Sequence, residues 1–136
     1  MKMIAVMVVA AAALLMWAAP ALAHHSFAAQ YDASKHIELK GVVTKVEWTN
    51  PHARFYIDQT SDTGDVTSWN FEMASPNVLV RNGWKRTSLK IGDEVTVTGY
   101  LARTGPPAGP KMAIAESLTA SDGRKMFASS ATDLSR

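Results

Sequence analysis

Two adjacent histidines, His24 and His25, are the residues of this chain whose type and position best suit chemistry. They follow the small-residue sequence Ala21-Leu22-Ala23, which is a typical ending for a segment that signal peptidase removes. Cleavage after Ala23 would leave His24 with a free α-amine. The amine nitrogen and the ring Nδ1 of this one residue can close a six-membered chelate on a metal ion, so the sequence predicts a metal site at the processed amino terminus.

Copper(II) is the ion that this ligand set favours, because nitrogen-rich tetragonal sites suit it best among the common divalent ions. A terminal amine also loses its proton more readily than a lysine, with an ordinary pKa near ~8 that a bound metal lowers further. We expect His25 or His52 to supply the next ring nitrogen, so that the predicted metal ligands are His24, His25 and His52. Zinc is the alternative if a carboxylate such as Asp32 or Glu72 completes a tetrahedron.

The same residues also have purely structural interpretations. His24 and His25 can be solvated terminal residues that favour efficient cleavage. His52 ends an Asn-Pro-His turn, and such a turn can shape the chain while its imidazole stays on the surface. Met73 and Met112 both fit the core parity of their strands, so we expect them to fill space in the core and not to bind copper(I).

Export is predicted from the first 23 residues. A basic start at Lys2 precedes an apolar run from Met3 to Ala19 and the helix-breaking Pro20, which is the order found in secretory signal peptides. An uncleaved membrane anchor is the alternative, although the run is only about as long as the minimum for a span. The chain has no cysteine, so neither a lipoprotein-type lipid nor a disulfide is expected. We expect a periplasmic or secreted protein with no membrane association after cleavage.

The chain divides into a signal peptide at 1–23, an N-terminal segment at 24–36, a single β domain at 37–127 and a flexible tail at 128–136. Removal of the signal peptide leaves 113 residues with 13 basic and 12 acidic side chains, enough for one hydrophobic core. The resulting net charge is +1, and the basic residues do not cluster into a stripe. This balance argues against a nucleic-acid partner.

Alternating apolar residues predict a mainly β protein. The first strand is predicted at residues 37–48. Its apolar positions change parity after Val43, which predicts a bulge or bend that the nearby Gly41 would tolerate. Ser75 and Pro76 predict the cap and first turn of one short helix that ends at Asn82-Gly83. The remaining strands are predicted at residues 53–59, 66–73, 94–101, 112–118 and 125–127.

Three strands, a short helix and two further strands follow the order of a small five-stranded Greek-key barrel of the OB type. A bent first strand fits this fold, because that strand must take part in both halves of the barrel. An open sandwich is the alternative architecture for the same number of strands.

No catalytic signature is present, and we predict that the protein is not an enzyme. The chain lacks a cysteine nucleophile, a Gly-x-Ser-x-Gly elbow, a phosphate-binding glycine loop and a His-Glu-x-x-His run. The alternative to metal binding is a metal-free interaction module whose partner is a protein or a small molecule. Its binding surface would be the non-core side of the second and third strands, formed by Arg54, Tyr56, Asn70 and Glu72.

Several short motifs together give the mature chain a recognisable pattern through about Leu101. They are His24-His25-Ser26-Phe27, Tyr31-Asp32, Gly41 with Val46-Glu47-Trp48, Asn50-Pro51-His52-Ala53, Trp69, Ser75-Pro76, Gly83-Trp84, Gly92-Asp93-Glu94-Val95 and Thr98-Gly99-Tyr100. This pattern resembles an uncharacterised family of small exported bacterial proteins. The chain departs from it at Arg54 and Phe55, where a tryptophan is expected. The resemblance implies export and architecture and adds no activity.

Overall fold

The computed structural model describes residues 27–129 and residue 134, and one six-stranded sheet curls around the core of this part of the chain. The elements in chain order are a single helical turn and six strands with one further helix between the third and fourth strands: α1 (Phe27–Gln30), β1 (Tyr31–Glu47), β2 (Arg54–Thr60), β3 (Val66–Glu72), α2 (Pro76–Arg81), β4 (Glu94–Ala102), β5 (Lys111–Ala120) and β6 (Lys125–Phe127).

The first five strands close into a barrel. β1 pairs antiparallel with β2 through its second half and with β4 through its first half. β3 then pairs in parallel with β5, with Trp69 opposite Lys111 and Glu72 opposite Ile114. This last pairing joins the two ends of the sheet, so the predicted barrel is confirmed and the open sandwich is wrong. β6 adds a short edge to β5.

β1 serves both halves of the barrel because it bends where the sequence predicts it. The pairing with β2 shifts register between Val43 and Lys45, which is the parity change read from the apolar pattern. Gly41 lies against β2 so closely that an added Cβ would stand 2.7 Å from the backbone oxygen of Asp58. The strand begins at Tyr31 and not at residue 37 as the pattern predicts, because residues 31–36 lack the apolar alternation that marks a strand.

The barrel core contains the side chains that the alternation places inside. Phe55 and Ile57 from β2 and Phe71 from β3 are fully buried, and the Phe55 and Phe71 rings stack at a centroid distance of 5.2 Å. Met73 also lies in this core at 1% exposure, in agreement with the space-filling role expected for it.

The predicted short helix is α2, and it closes one end of this core. Ser75 is its N-cap and Pro76 its first residue, while Leu79 points inward and is fully buried. The chain then leaves the helix through Gly83, whose φ of +90° suits a residue without a Cβ. Trp84 follows and donates its indole N–H to the backbone oxygen of Phe127 at 2.9 Å, which ties the helix end to β6.

A second, smaller apolar cluster lies outside the barrel and was not predicted. It consists of Phe27, Tyr31, Tyr100 and Ile114. Tyr100 faces outward because it alternates with the core residues Val95 and Val97 of β4. Ile114 faces outward as well, because the pairing skips Glu116 between Ala115 and Ser117 and so changes the parity of β5. Phe27 packs edge-on against Tyr100 with ring centroids 5.3 Å apart. Through this contact, α1 is anchored to the outer wall of the barrel.

Candidate functional site

His52 lies in the turn between β1 and β2, directly after the cis peptide bond of Asn50-Pro51. Its side chain is 36% exposed. Its Nδ1 lies 3.0 Å from the backbone oxygen of Met73. A carbonyl oxygen can only accept a hydrogen bond, so Nδ1 carries the hydrogen in this contact. The neutral ring then has its lone pair on Nε2, which is the arrangement found in many metal-binding histidines.

Glu72 is a buried carboxylate beside this ring. Its side chain is only 9% exposed, and Oε1 stands 3.7 Å from Nδ1 of His52. The other oxygen, Oε2, accepts a charge-assisted hydrogen bond from the Arg54 guanidinium. Arg54 and Glu72 are directly opposite each other in the pairing of β2 with β3, so the sheet register itself produces this ion pair. A carboxylate at this depth needs such partners to offset the loss of its water.

Tyr31 is the third group at this carboxylate, and no functional role was predicted for it. It is 4% exposed and lies close to the Glu72 carboxylate, whose charge and hydrogen bonding act on the Tyr31 phenol. Burial is the main reason that the pKa of the Tyr31 phenol is raised well above its ordinary value. The negative charge of Glu72 and the hydrogen bond add to this effect, and Arg54 partly opposes it. Tyr31 is therefore a neutral hydrogen-bond donor at neutral pH.

A continuous series of contacts leads from α1 to the imidazole. The Phe27 and Tyr31 rings are 5.8 Å apart between centroids, the Tyr31 phenol lies close to Glu72, and Glu72 lies beside His52. The beginning of the described chain and the Asn-Pro-His turn therefore meet at one buried carboxylate. Of the predicted ligands, His52 is at this place, whereas His24 and His25 lie outside the described residues.

The surface suggested for a metal-free interaction adjoins the same carboxylate. Arg54, Tyr56, Asn70 and Glu72 do share the outer side of β2 and β3. The Arg54 Nη1 also donates to the Asn70 side-chain oxygen at 3.4 Å, and the Tyr56 hydroxyl donates to Glu47 at 3.0 Å. The polar atoms of this face thus bond mainly to one another. Glu72 is buried and not half-solvated, and Tyr31 is one of the groups close to it.

Other metal donors are sparse between residues 27 and 129, where no group of three or more histidine or acidic side chains could hold an ion. Asp32, considered as a zinc ligand, instead accepts hydrogen bonds from the Ser34 amide and hydroxyl. These bonds lower the pKa of the Asp32 carboxyl. His36 is exposed, with Nε2 at 3.1 Å from Glu116 Oε2. Met112 is half-buried in β5.

The sequence was also compared with family models and with curated proteins. Residues 11–111 match the model described as "Family of unknown function (DUF6152)". The chain belongs to this family. The match spans the Asn-Pro-His turn, all of β1 to β4 and the first residue of β5, and it confirms the expected membership of an uncharacterised family. No curated protein matches the chain.

What is established is therefore a small β-barrel protein of a family without an assigned function. Within the part of the chain that the structure covers, no helix is long and apolar enough to cross a membrane. The arrangement that could carry out chemistry is His52 beside the buried Glu72. Among the described residues, the Nε2 of His52 has no hydrogen-bond partner.

Proposed function

We propose that this protein is an exported β-barrel that binds copper(II) through the processed amino terminus at His24, with His52 as the next ring-nitrogen ligand. The observation that carries the proposal is the orientation of His52, whose Nδ1 bonds to the Met73 carbonyl oxygen at 3.0 Å. This contact leaves the lone pair on Nε2, the atom that a metal requires. The ring of His25 is the other candidate for that position.

The short distance along the chain between His24 and Phe27 supports His24 as a metal ligand. Three peptide units separate His24 from Phe27, and a chain of this length spans at most about 10 Å. Phe27 is held in the outer cluster and contacts Tyr31, which lies close to Glu72, and Glu72 lies next to His52. Phe27 and His52 are therefore linked by a short series of neighbouring side chains. An amine, two imidazole nitrogens and no thiolate form a donor set that suits copper(II).

The proposal is tested by titrating copper(II) into two forms of the protein in competition with a chromophoric chelator. One form begins at His24 and the other at Ala21, so that the second carries three native residues ahead of the histidine. Three residues are preferred to one, because an amine on Ala23 would still lie next to two histidines. We expect the form that begins at His24 to bind on the order of 100-fold more tightly, which corresponds to about 2.7 kcal/mol.

The contribution of His52 is tested separately with His52→Gln in the form that begins at His24. We expect its affinity to fall by about 10-fold, at least as much as losing a partner of a metal ligand costs. His36→Gln is the matched control, because His36 is another imidazole beside a glutamate and is expected to leave the affinity unchanged. Equal binding by the His24 and Ala21 forms would contradict the proposal and favour the metal-free interaction module.

A further inference from the structure

We propose that this protein docks reversibly on membranes that contain anionic phospholipid, through a basic and apolar surface formed by α2, the loop that follows it and β6. The inference goes beyond copper binding and does not depend on it. We call this surface the basic patch, and its residues are Val80, Arg81, Lys85, Arg86, Lys125 and Phe127.

Two hydrogen bonds hold α2 beside the chain at the end of β6. Ahead of the helix, the Ala74 amide donates to the backbone oxygen of Ala128 at 2.8 Å. After the helix, the Trp84 indole N–H donates to the backbone oxygen of Phe127 at 2.9 Å. Lys85 follows Trp84 directly, so Lys85 and Phe127 lie in the same part of the surface although they are distant in the sequence.

Two large apolar side chains of the basic patch are turned to solvent. Val80 is 57% exposed on α2, whereas the neighbouring Leu79 is buried in the core. Phe127 is 62% exposed on β6, because the alternation of the strand turns Met126 toward the core and Lys125 and Phe127 outward. Removing the apolar area of Val80 and Phe127 from water would stabilise a docked state.

The cations of the basic patch form no ion pairs within the described part of the chain. Arg81, Lys85 and Arg86 pair with no carboxylate there, and the sequence has no acidic residue at positions 73–92. Lys125 lies over the Phe127 ring, with Nζ 5.8 Å from the ring centroid. Their positive charge is therefore available to a partner.

Most other cations of the described chain are already neutralised. Those that pair with a carboxylate are Lys35, Lys40, Lys45, Arg54 and Arg124. This pairing leaves uncompensated positive charge concentrated at the basic patch, although the net charge after the predicted cleavage is only +1. The overall charge balance of the chain therefore does not describe this surface.

An anionic bilayer fits both properties of the basic patch. Lysine and arginine are attracted to the negative surface of such a bilayer, and its interface accepts apolar side chains that a protein exposes. A partner with negative charge alone would leave Val80 and Phe127 in water. The sequence predicted no membrane association because only the fold brings Lys125 and Phe127 beside the cations that follow α2.

The experiment measures cosedimentation with vesicles, using protein that begins at His24 so that the apolar run at the start of the chain cannot insert by itself. One set of vesicles contains phosphatidylcholine and phosphatidylglycerol in equal parts, and the other contains phosphatidylcholine alone. We expect binding to the mixed vesicles to be at least about 10-fold tighter and to weaken as salt is added, because salt screens the attraction.

The charged half of the basic patch is tested with the double variant Lys85→Gln and Arg86→Gln. We expect it to bind the mixed vesicles about 25-fold more weakly, because each cation near an anionic surface contributes about fivefold. Lys35→Gln with Lys45→Gln is the matched control. It changes the net charge equally but removes cations that already pair with Asp32 and Glu47, so it should bind nearly as well as the unaltered protein.

The apolar half is tested with Val80→Ser and Phe127→Ser, each of which should weaken binding by about 5-fold. Val66→Ser is the matched control, because Val66 is 60% exposed on β3 and should not affect binding. Circular dichroism checks that each variant is folded, and if Val80→Ser is not, Phe127→Ser decides.

Two results would overturn the proposal. One is binding to the mixed vesicles that is absent, or that falls equally in the patch variants and their controls. The other is binding that needs Lys85 and Arg86 but is unchanged in Phe127→Ser and is matched by soluble polyglutamate, which would assign the basic patch to an acidic macromolecule. Neither result bears on copper binding, which is measured separately.

Discussion

At the scale of single residues, the burial of Tyr31 has a consequence for stability at high pH. The phenol is nearly inaccessible and faces the Glu72 carboxylate, and both effects raise its pKa in the folded protein. In the unfolded chain the same group has an ordinary pKa of about 10. A raised folded pKa contributes stability that is fully present below pH ~10 and is lost as pH rises above that value, because only the unfolded chain then releases the proton.

We therefore expect the free energy of unfolding to decrease above pH ~10, with Tyr31 contributing up to about 1.4 kcal/mol per pH unit. Tyr31→Phe should be less stable than the unaltered protein at pH 8, because it loses the interaction with Glu72, and should lose stability less steeply above pH 10. Urea denaturation between pH 8 and 11 measures both effects. Tyr56→Phe, on the more accessible outer face, should change the slope less. Parallel curves for Tyr31→Phe and the unaltered protein would contradict this prediction.

At the scale of elements, the sequence predicted what local pattern controls and missed what long-range packing controls. The alternation of Phe55 and Ile57, the cap at Ser75 and the parity change after Val43 all depend on neighbouring residues, and all three are confirmed. The register shift at Gly99 depends on the approach of another strand: an added Cβ would stand 2.0 Å from the Ile114 backbone oxygen. No apolar pattern reports such a contact.

In the candidate site, too, local pattern was predictable and long-range packing was not. The alternation of side chains was enough to place Arg54 and Glu72 on one face, and their cross-strand pairing follows from the register. The burial of Glu72 was not predictable, because its neighbours are distant in the chain: Ile114 pairs with it across β3 and β5, and Tyr31 lies close to its carboxylate. Residues 31–36 lack apolar alternation, so the sequence pattern predicted neither the early start of β1 nor the position of Tyr31 close to Glu72.

Two phenylalanines allow the stability of the outer cluster to be compared with that of the barrel core. Phe55 lies at the centre of the main core with no exposed surface, whereas Phe27 belongs to the outer cluster. Phe55→Ala should lower the free energy of unfolding by about 3–5 kcal/mol. Phe27→Ala can remove only the contribution that α1 makes by packing on the barrel, so we expect the free energy of unfolding to fall by at most about 2 kcal/mol. We also expect faster hydrogen exchange, confined to residues 27–33. Exchange that increases equally throughout the barrel in Phe27→Ala would show that the two clusters unfold as one unit.

At the scale of the whole molecule, a closed barrel without disulfides provides a rigid frame, and the proposed chemistry lies where the amino terminus meets it. The frame holds His52 and Glu72 at the junction of the β1–β2 turn with β3. Two of the three predicted ligands, His24 and His25, precede α1 in the chain. The two apolar clusters of the barrel consist of described residues, whereas the proposed chelate forms only if His24 is the first residue. Proteolytic processing therefore decides whether the protein has its primary ligand.

This dependence leads to a prediction about the mature protein. When the full chain is expressed in a bacterium with a periplasm, we expect intact-mass measurement of the periplasmic fraction to give the mass of residues 24–136 with an unmodified terminus, because Ala21-Leu22-Ala23 presents small residues at the positions that signal peptidase selects. Ala23→Pro, which should block cleavage at this bond, is expected to leave the precursor at the membrane. An exported protein that begins at any other residue, or whose first nitrogen is blocked, would contradict the copper proposal. The barrel would be unaffected, because Phe27 to Ser129 make their contacts without the missing amine.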